Sequence, residues 1–166
     1  MFSKVTIALV AAAMAFVQVC GESHTVTFTN SCGYGTPYLW GPDGALLSTG
    51  GSYTSDGPAD GLIGYLQTGN CGDNGEHCTV VEATRNKTGS SAYISLIPPY
   101  EFSVTIGFGY YNGCGGAGAD CTYSSCSSPG PPSEFPQSVD CSVANIGSDW
   151  RGVARKWQTF GILSIL

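Results

Sequence analysis

The sequence predicts an all-β fold, either a sandwich or a barrel, whose loops are tied by disulfide bonds. Between Phe102 and Phe108 apolar residues alternate with small or polar ones, which is the period of a strand with one buried face. Turn-forming residues interrupt the apolar stretches roughly every 8–12 residues, a spacing typical of sandwiches and barrels. The chain of 166 residues contains 8 cysteines and has the length of a single domain.

Each predicted strand ends at a turn signal. The first strand has Val26 and Phe28 on its inner face and threonines on its outer face. Pro98-Pro99 separates the last two strands, because proline fixes φ and has no N–H to donate to a ladder. Strands are predicted at residues 24–29, 38–40, 45–47, 62–67, 79–84, 93–97 and 102–108, with a long polar stretch at 48–61 and a Ser/Pro-rich loop at 124–138.

Residues 1–21 have the pattern of a secretory signal peptide. Lys4 supplies the positive charge, and residues 5–17 form an apolar run that is too short for a comfortable membrane span. A membrane anchor is the alternative, which this length disfavours. The mature protein is therefore expected to be secreted, either extracellular or in a cell wall, and free of the membrane after cleavage.

Composition and spacing exclude several classes of ligand. Without Lys4 the mature chain keeps five basic side chains against 12 acidic ones, so it is unsuited to nucleic acids and to anionic membranes. The two histidines are far apart in sequence and no CxxC…CxxC spacing occurs, which argues against a structural zinc site. The glycine-rich residues 113–118 follow a strand into a cysteine loop rather than into a helix, so phosphate binding is a poor interpretation. No cofactor or metal is expected, and the chain is expected to be a monomer.

Eight cysteines in a secreted chain indicate disulfide bonds. Cys20 lies in or beside the signal peptide, which leaves an odd number of cysteines in the mature chain. Any four cysteines allow three connectivities, so spacing alone does not choose the pairs.

Several phrases of the sequence resemble thaumatin-like proteins. Residues 26–32, VTFTNSC, are similar to the opening strand of that family, and residues 67–72, QTGNCG, followed by Cys78, are similar to its T-G-x-C-G…C loop. The phrases ISLIPP (94–99) and GFGYYNGC (107–114) resemble small secreted fungal glycopeptide-type proteins more closely. The resemblance implies a flattened β-sandwich with disulfide-rich loops, formed by a β domain at residues 22–145.

The resemblance also implies three disulfide bonds, Cys71–Cys78, Cys114–Cys141 and Cys121–Cys126. In the family the first cysteine, here Cys32, pairs with a cysteine at the extreme C-terminus, whereas Thr159-Phe160 are followed here by Gly161. Either that bond is lost, or the residues after 145 come from an error in the gene model. The second explanation is favoured, because cysteine parity and composition change at the same place. Residues 146–166 are therefore treated as an atypical C-terminal tail.

One candidate catalytic carboxylate, Glu82, follows from the resemblance. It matches the glutamate of an acidic cleft that is linked to β-glucan binding and weak hydrolysis in larger thaumatin-like proteins. Tyr93 and Pro98 stand where aspartates are expected, and Gln67 stands where an arginine is expected. Because a glycosidase needs two carboxyl groups, Glu82 could act only if Asp43, Asp56, Asp60 or Glu101 folded into reach, and the sequence does not choose among them. Hydrolysis is therefore a weaker expectation than binding.

The predicted ligand-binding residues are Glu82, Tyr110 and Tyr111. Tyrosines in loops near cysteines suit stacking on sugars or contact with a partner, although tyrosines more often cover the edges of a core. The tyrosines placed there by the sequence are Tyr100, Tyr110, Tyr111 and Tyr123. Asn86-Lys87-Thr88 is an N-glycosylation sequon, with Asn86 as the acceptor. The leading prediction is a secreted glycoprotein that binds, without catalysis, cell-wall or host glycans such as β-1,3-glucan, or an extracellular protein. A weak endo-β-1,3-glucanase and a structural glycoprotein of the wall are the alternatives.

Overall fold

The computed structural model describes residues 21–86, 88–126, 138–143 and 146–153. The predicted signal peptide up to residue 20, most of the Ser/Pro-rich loop and residues 154–166 lie outside this part. The described residues form eleven strands and a short 3-10 turn at Pro42–Gly44. The strands are β1 (His24–Asn30), β2 (Thr36–Trp40), β3 (Leu46–Ser48), β4 (Tyr53–Ser55), β5 (Ala59–Gln67), β6 (Val80–Asn86), β7 (Gly89–Ser95), β8 (Thr105–Tyr111), β9 (Gly118–Cys121), β10 (Val139–Cys141) and β11 (Gly147–Val153).

The strands form two sheets that pack as a sandwich. Sheet A has five strands in the order β4-β1-β11-β8-β9, and sheet B has six strands in the order β10-β7-β6-β5-β2-β3. Neighbouring strands are antiparallel except for β1 and β11, which run parallel. Alternation along each strand places one set of side chains between the sheets and the other set on an outer face.

The core lies between the two sheets. Sheet A contributes Val26, Phe108 and Trp150, and sheet B contributes Val81 and Ile94, all of them buried. Trp150 packs against the opposite sheet, where a Cβ on residue 64 would overlap its indole ring. Gly64 is therefore required at that position of β5, because no other residue leaves the space that the ring fills.

Most predicted strands are present, with shifted ends. The strand predicted at residues 102–108 is shifted toward the C-terminus, since β8 begins at Thr105 and continues to Tyr111. β7 likewise begins at Gly89, four residues before the predicted start, since it pairs with β6 through a tight hairpin in which Asn86 faces Gly89. The polar stretch at 48–61 contains β4, which has no apolar alternation and is short. β4 forms by pairing with β1 at the edge of sheet A.

The domain boundary predicted at residue 145 does not match the sheet. β11, at Gly147–Val153, lies in the middle of sheet A, where it pairs with both β1 and β8. Ile146 and Trp150 belong to the core. The β domain therefore extends at least to residue 153, and the suggested error in the gene model concerns only the residues beyond it, which are not described.

Three disulfide bonds tie the loops to the sandwich. They join Cys71 to Cys78, Cys114 to Cys141, and Cys121 to Cys126, the same pairs that the resemblance implies. Cys32 is a free cysteine of intermediate exposure, and burial raises the pKa of its thiol.

Candidate functional site

Glu82 lies on the outer face of sheet B. Its neighbours Val81 and Ala83 point into the core, so the carboxylate points away from it. The strand register places the side chains of Trp40, Ile63, Glu82 and Tyr93 in one row across β2, β5, β6 and β7. All four side chains are half-buried. At about 4.8 Å per strand the row spans roughly 14 Å. We call these four residues the aromatic row.

A short hydrogen bond links the two polar members of the aromatic row. The Tyr93 hydroxyl donates to Oε2 of Glu82 over 2.6 Å. Burial raises the pKa of Tyr93, and the hydrogen bond to Glu82 raises it further. The phenol therefore stays protonated, and one carboxylate oxygen is held in place by it.

Tyr100 stands close to the same carboxylate. Its pKa is raised first by burial and then by the negative charges of Glu82 and Glu76. The charges of both glutamates therefore favour the protonated form of the half-buried Tyr100 phenol. The pKa of Glu76 is lowered, because backbone N–H groups of Glu76 itself and of Asn74 bind its carboxylate. Glu76 thus stays ionised near neutral pH, which makes it a poor general acid.

Trp40 is oriented by a chain of hydrogen bonds. Its Nε1–H donates to the Tyr65 hydroxyl over 2.9 Å, and that hydroxyl lies 3.0 Å from the carbonyl oxygens of both Gly72 and Asp73. These carbonyls belong to the loop closed by the Cys71–Cys78 disulfide. The disulfide loop therefore fixes the indole that begins the aromatic row.

The loop can lie on sheet B because of one glycine. Gly75 has φ of 85°, a conformation that favours glycine, and it packs against Tyr65 and Val80 so closely that a Cβ would overlap both side chains. The loop between Cys71 and Cys78 therefore lies close against β5 and β6, beside the aromatic row.

The structure separates the three predicted ligand-binding residues. Tyr110 is only 4% exposed, and its hydroxyl donates to the carbonyl oxygen of Val139 over 2.9 Å. Burial raises the pKa of Tyr110 to about 12. The prediction that Tyr110 binds a ligand is therefore wrong, since this tyrosine is part of the core.

Tyr111 is half-buried on the outer face of sheet A, whereas Glu82 is on the outer face of sheet B. The two side chains are on opposite sides of the sandwich and do not form one site. Instead, Glu82 has Tyr100 nearby, one of the loop tyrosines considered for stacking on sugars, and it shares its row with Trp40 and Tyr93, which the sequence does not mark as ligands. A strand register would have placed Trp40 and Tyr93 in one row with Glu82, but a single sequence does not supply that register.

The remaining predictions for the site concern glycosylation, metals and membranes. Asn86 is the last residue of β6, at the hairpin to β7, and Thr88 of the sequon is exposed. Within the described ranges, no group of three or more His, Cys, Asp or Glu side chains could hold a metal ion. In the same part of the chain, no helical segment has the length and apolarity required to cross a bilayer.

Comparison with known proteins gives matches in structure. No protein-family model matches the chain, and no curated protein matches it in sequence. The structure of the thaumatin-like xylanase inhibitor TLXI superimposes with a TM-score of 0.51 at 18% identity, covering 78% of this chain and 97% of that one. The fold is thaumatin-like. The protein elicitor MoHrip2 from Magnaporthe oryzae gives a TM-score of 0.44 at 13% identity, covering 77% of this chain and 97% of that chain.

Proposed function

We propose that this protein is a secreted, non-catalytic glycan-binding protein that holds a cell-wall polysaccharide such as β-1,3-glucan on the aromatic row. The single observation that carries the proposal is the row itself. Trp40, Ile63, Glu82 and Tyr93 follow one another across four strands, and each is half-exposed. An elongated row of this kind suits a chain of sugar units rather than one compact ligand.

The chemistry of the row fits a neutral polysaccharide. Aromatic faces pack against the C–H faces of sugar rings, while a polar tip remains available for hydrogen bonds. Glu82 holds one hydrogen bond from Tyr93 and has further acceptor capacity for sugar hydroxyls. Because the chain carries a net charge of −6, a neutral ligand avoids the repulsion that an acidic polysaccharide would meet.

The same geometry disfavours hydrolysis. Cleavage needs one carboxylic acid that donates a proton and a second carboxylate on the other side of the bond. Glu82 is engaged by Tyr93, and Glu76 has a lowered pKa. Glu82 is therefore proposed as a hydrogen-bonding residue and not as a catalytic one.

Secretion and glycosylation form part of the proposal. Three disulfide bonds are typical of proteins that fold in an oxidising compartment. A sugar on Asn86 would lie at the tip of the β6–β7 hairpin, while Glu82 lies four residues earlier on the same strand. Digestion of the secreted protein with a peptide N-glycosidase should lower its apparent mass. An unchanged mass would contradict the glycosylation of Asn86 but would leave the rest of the proposal in place.

The proposal is tested by co-sedimentation with insoluble β-1,3-glucan, with released reducing ends followed in the same tubes. We expect saturable binding without new reducing ends. Trp40→Ala should weaken binding about tenfold or more, because truncation of an aromatic anchor in a binding surface costs over 1 kcal/mol. Tyr93→Phe removes the donor to Glu82 and should weaken binding less. Tyr34→Ala is the matched control, because this tyrosine is 54% exposed and outside the row.

Three results would overturn the proposal. Equal binding by the wild type and by Trp40→Ala would show that the aromatic row is not the contact surface. Reducing ends that vanish in Glu82→Gln would instead support the weak glucanase. If no glycan binds, an extracellular enzyme of the glycanase class becomes the first partner to test, since the fold is shared with a xylanase inhibitor.

A further inference from the structure

The outer face of sheet A carries a second polar surface, on the opposite side of the molecule from the aromatic row. The register places Thr27 beside Asp149 and Thr29 beside Arg151 across β1 and β11. Gly109 and Gly107 of β8 face these two residues from the other side. Tyr111 of β8 and Asp120 of β9 complete this face.

Glycines shape this face into a trough. Tyr111 lies over Gly147, and Asp120 lies over Gly107, at positions where a Cβ would overlap their side chains. The Nη2 atom of Arg151 lies 3.1 Å from the place that a Cβ on Gly109 would occupy. The resulting cavity measures about 320 Å³ and is bordered by Tyr111, Asp120, Asp149 and Arg151. We call it the glycine trough.

The charged groups of the glycine trough are held in place. The carboxylate of Asp149 accepts hydrogen bonds from the hydroxyls of Thr27 and Thr29, over 3.2 Å and 3.1 Å. It also lies 3.4 Å from Nε of Arg151, whose side chain is 55% exposed. Asp149 therefore orients the guanidinium, and the terminal nitrogens of Arg151 remain on the floor of the trough as donors.

We infer that the glycine trough is a second glycan site, which takes one or two neutral sugar units. A guanidinium that donates, a carboxylate on Asp120 that accepts, and the ring of Tyr111 are the three kinds of group that a sugar with several hydroxyls requires. The volume lies at the lower end of the range of small-molecule sites. Two carboxylates against one guanidinium disfavour an acidic sugar or a phosphate.

The position of the glycine trough has a consequence for the whole molecule. It faces away from the aromatic row, so one protein can hold two polysaccharide chains at once and bridge them. This bridging rests on the function proposed above, whereas the sugar site in the trough does not. Two linked contacts would also raise the apparent affinity for a wall that offers many chains.

The test is calorimetric titration with laminarihexaose, a soluble β-1,3-linked glucose hexamer. The wild type should bind two hexamers. Gly109→Val fills the floor of the trough with little strain, because the atom nearest to its Cβ is the end of the flexible Arg151 side chain. This variant should bind one hexamer and should lose the ability to aggregate glucan particles. Gly51→Val is the matched control, since its nearest neighbour is 4.0 Å away and it lies outside both sites.

The outcomes separate this inference from the proposed function. An unchanged stoichiometry in Gly109→Val, with Gly51→Val also unchanged, would overturn the second site. Loss of one hexamer in Gly109→Val, with no effect of Trp40→Ala, would support the trough and reject the aromatic row. Arg151→Gln should also bind one hexamer fewer than the wild type, although it adds no volume to the trough. Binding of two hexamers by both Gly109→Val and Arg151→Gln would exclude a sugar in the trough.

Discussion

A buried guanidinium lies between the two sheets, and no carboxylate of the described residues forms an ion pair with it. Arg85 is fully buried, its Nη2 contacts the hydroxyl of Ser148, and its guanidinium lies 5.8 Å from the centre of the Tyr110 ring. Within the described residues, Nε and Nη1 make no hydrogen bond. Burial lowers the pKa of Arg85, which reflects the cost of holding a charge in the core.

We predict that Arg85→Met raises the free energy of unfolding by about 1 kcal/mol, measured by chemical denaturation. Replacing a poorly paired buried charge by an apolar chain of similar length removes the desolvation cost and leaves little empty volume. Arg85→Ala is the control, since it removes the charge but leaves a cavity and should be less stable than Arg85→Met. A large loss of stability in Arg85→Met would show that the guanidinium is paired more strongly than the contacts with Ser148 and Tyr110 indicate.

The sequence did not predict this residue. Arginine is among the residues least often buried, so from the sequence alone Arg85 counts only toward the net charge. The alternation of β6 nevertheless sends Val81, Ala83 and Arg85 to one face, with Glu82 on the other. The strand pattern was therefore visible, but the charge of residue 85 contradicted the burial that the pattern implies.

Among the elements, β11 shows most clearly what a single sequence leaves out. Its sequence GSDWRGV has two glycines and two charged residues, and it does not alternate between apolar and polar. The strand forms because β1 and β8 pair with both of its edges. By contrast, β1 and β8 carry clear alternation and were predicted, because their own residues define a buried face.

We predict that Trp150→Ala lowers the free energy of unfolding by about 3–5 kcal/mol, as expected for removal of a large buried aromatic ring. Trp150 also contacts Phe28 edge to face, with ring centres 5.9 Å apart. Gly64→Ala should also lower the free energy of unfolding, because the added Cβ would overlap the indole of Trp150. Thermal melting followed by circular dichroism measures both, with Gly51→Ala as the control. Melting of Trp150→Ala at the wild-type temperature would mean that β11 does not anchor the sheet.

The candidate site was predicted in part. Glu82 was found because its residue phrase resembles a known family, but its companions were not. Tyr110 was expected beside Glu82 although the two residues lie on different sheets. Adjacent positions such as Tyr110 and Tyr111 point to opposite faces of a strand, so one of the two had to be buried. Choosing which one requires the register and the packing of both sheets.

At the scale of the whole molecule, four tyrosines, three in the two sheets and one in the connection between β7 and β8, share one property. The pKa values of Tyr65, Tyr93, Tyr100 and Tyr110 are all raised, and burial is the largest cause in each case. In the unfolded chain each phenol loses its proton near pH 10. The folded protein therefore holds these protons more tightly than the unfolded chain does.

This difference sets the direction of the pH dependence. The stability that these tyrosines contribute is fully present below about pH 10, and it is lost as the pH rises through their folded pKa values, which for Tyr110 is about 12. We predict that the free energy of unfolding falls steadily from about pH 10 upward. Tyrosinate absorbance should lag behind that of the unfolded protein and then rise cooperatively with the loss of structure.

The alkaline titration needs one control, because a thiolate can exchange with the three disulfide bonds at high pH. Cys32→Ser removes the free thiol of the described residues, and its free energy of unfolding should depend on pH as that of the wild type does. Tyr110→Phe should make the free energy of unfolding less dependent on pH above pH 10, because it removes one buried phenol. The variant also loses the hydrogen bond to Val139, so its stability should be lower at every pH. Tyrosinate absorbance near pH 10 that is as large in the still-folded protein as in the unfolded chain would show that these four phenols reach solvent, which would contradict the packing of the sandwich.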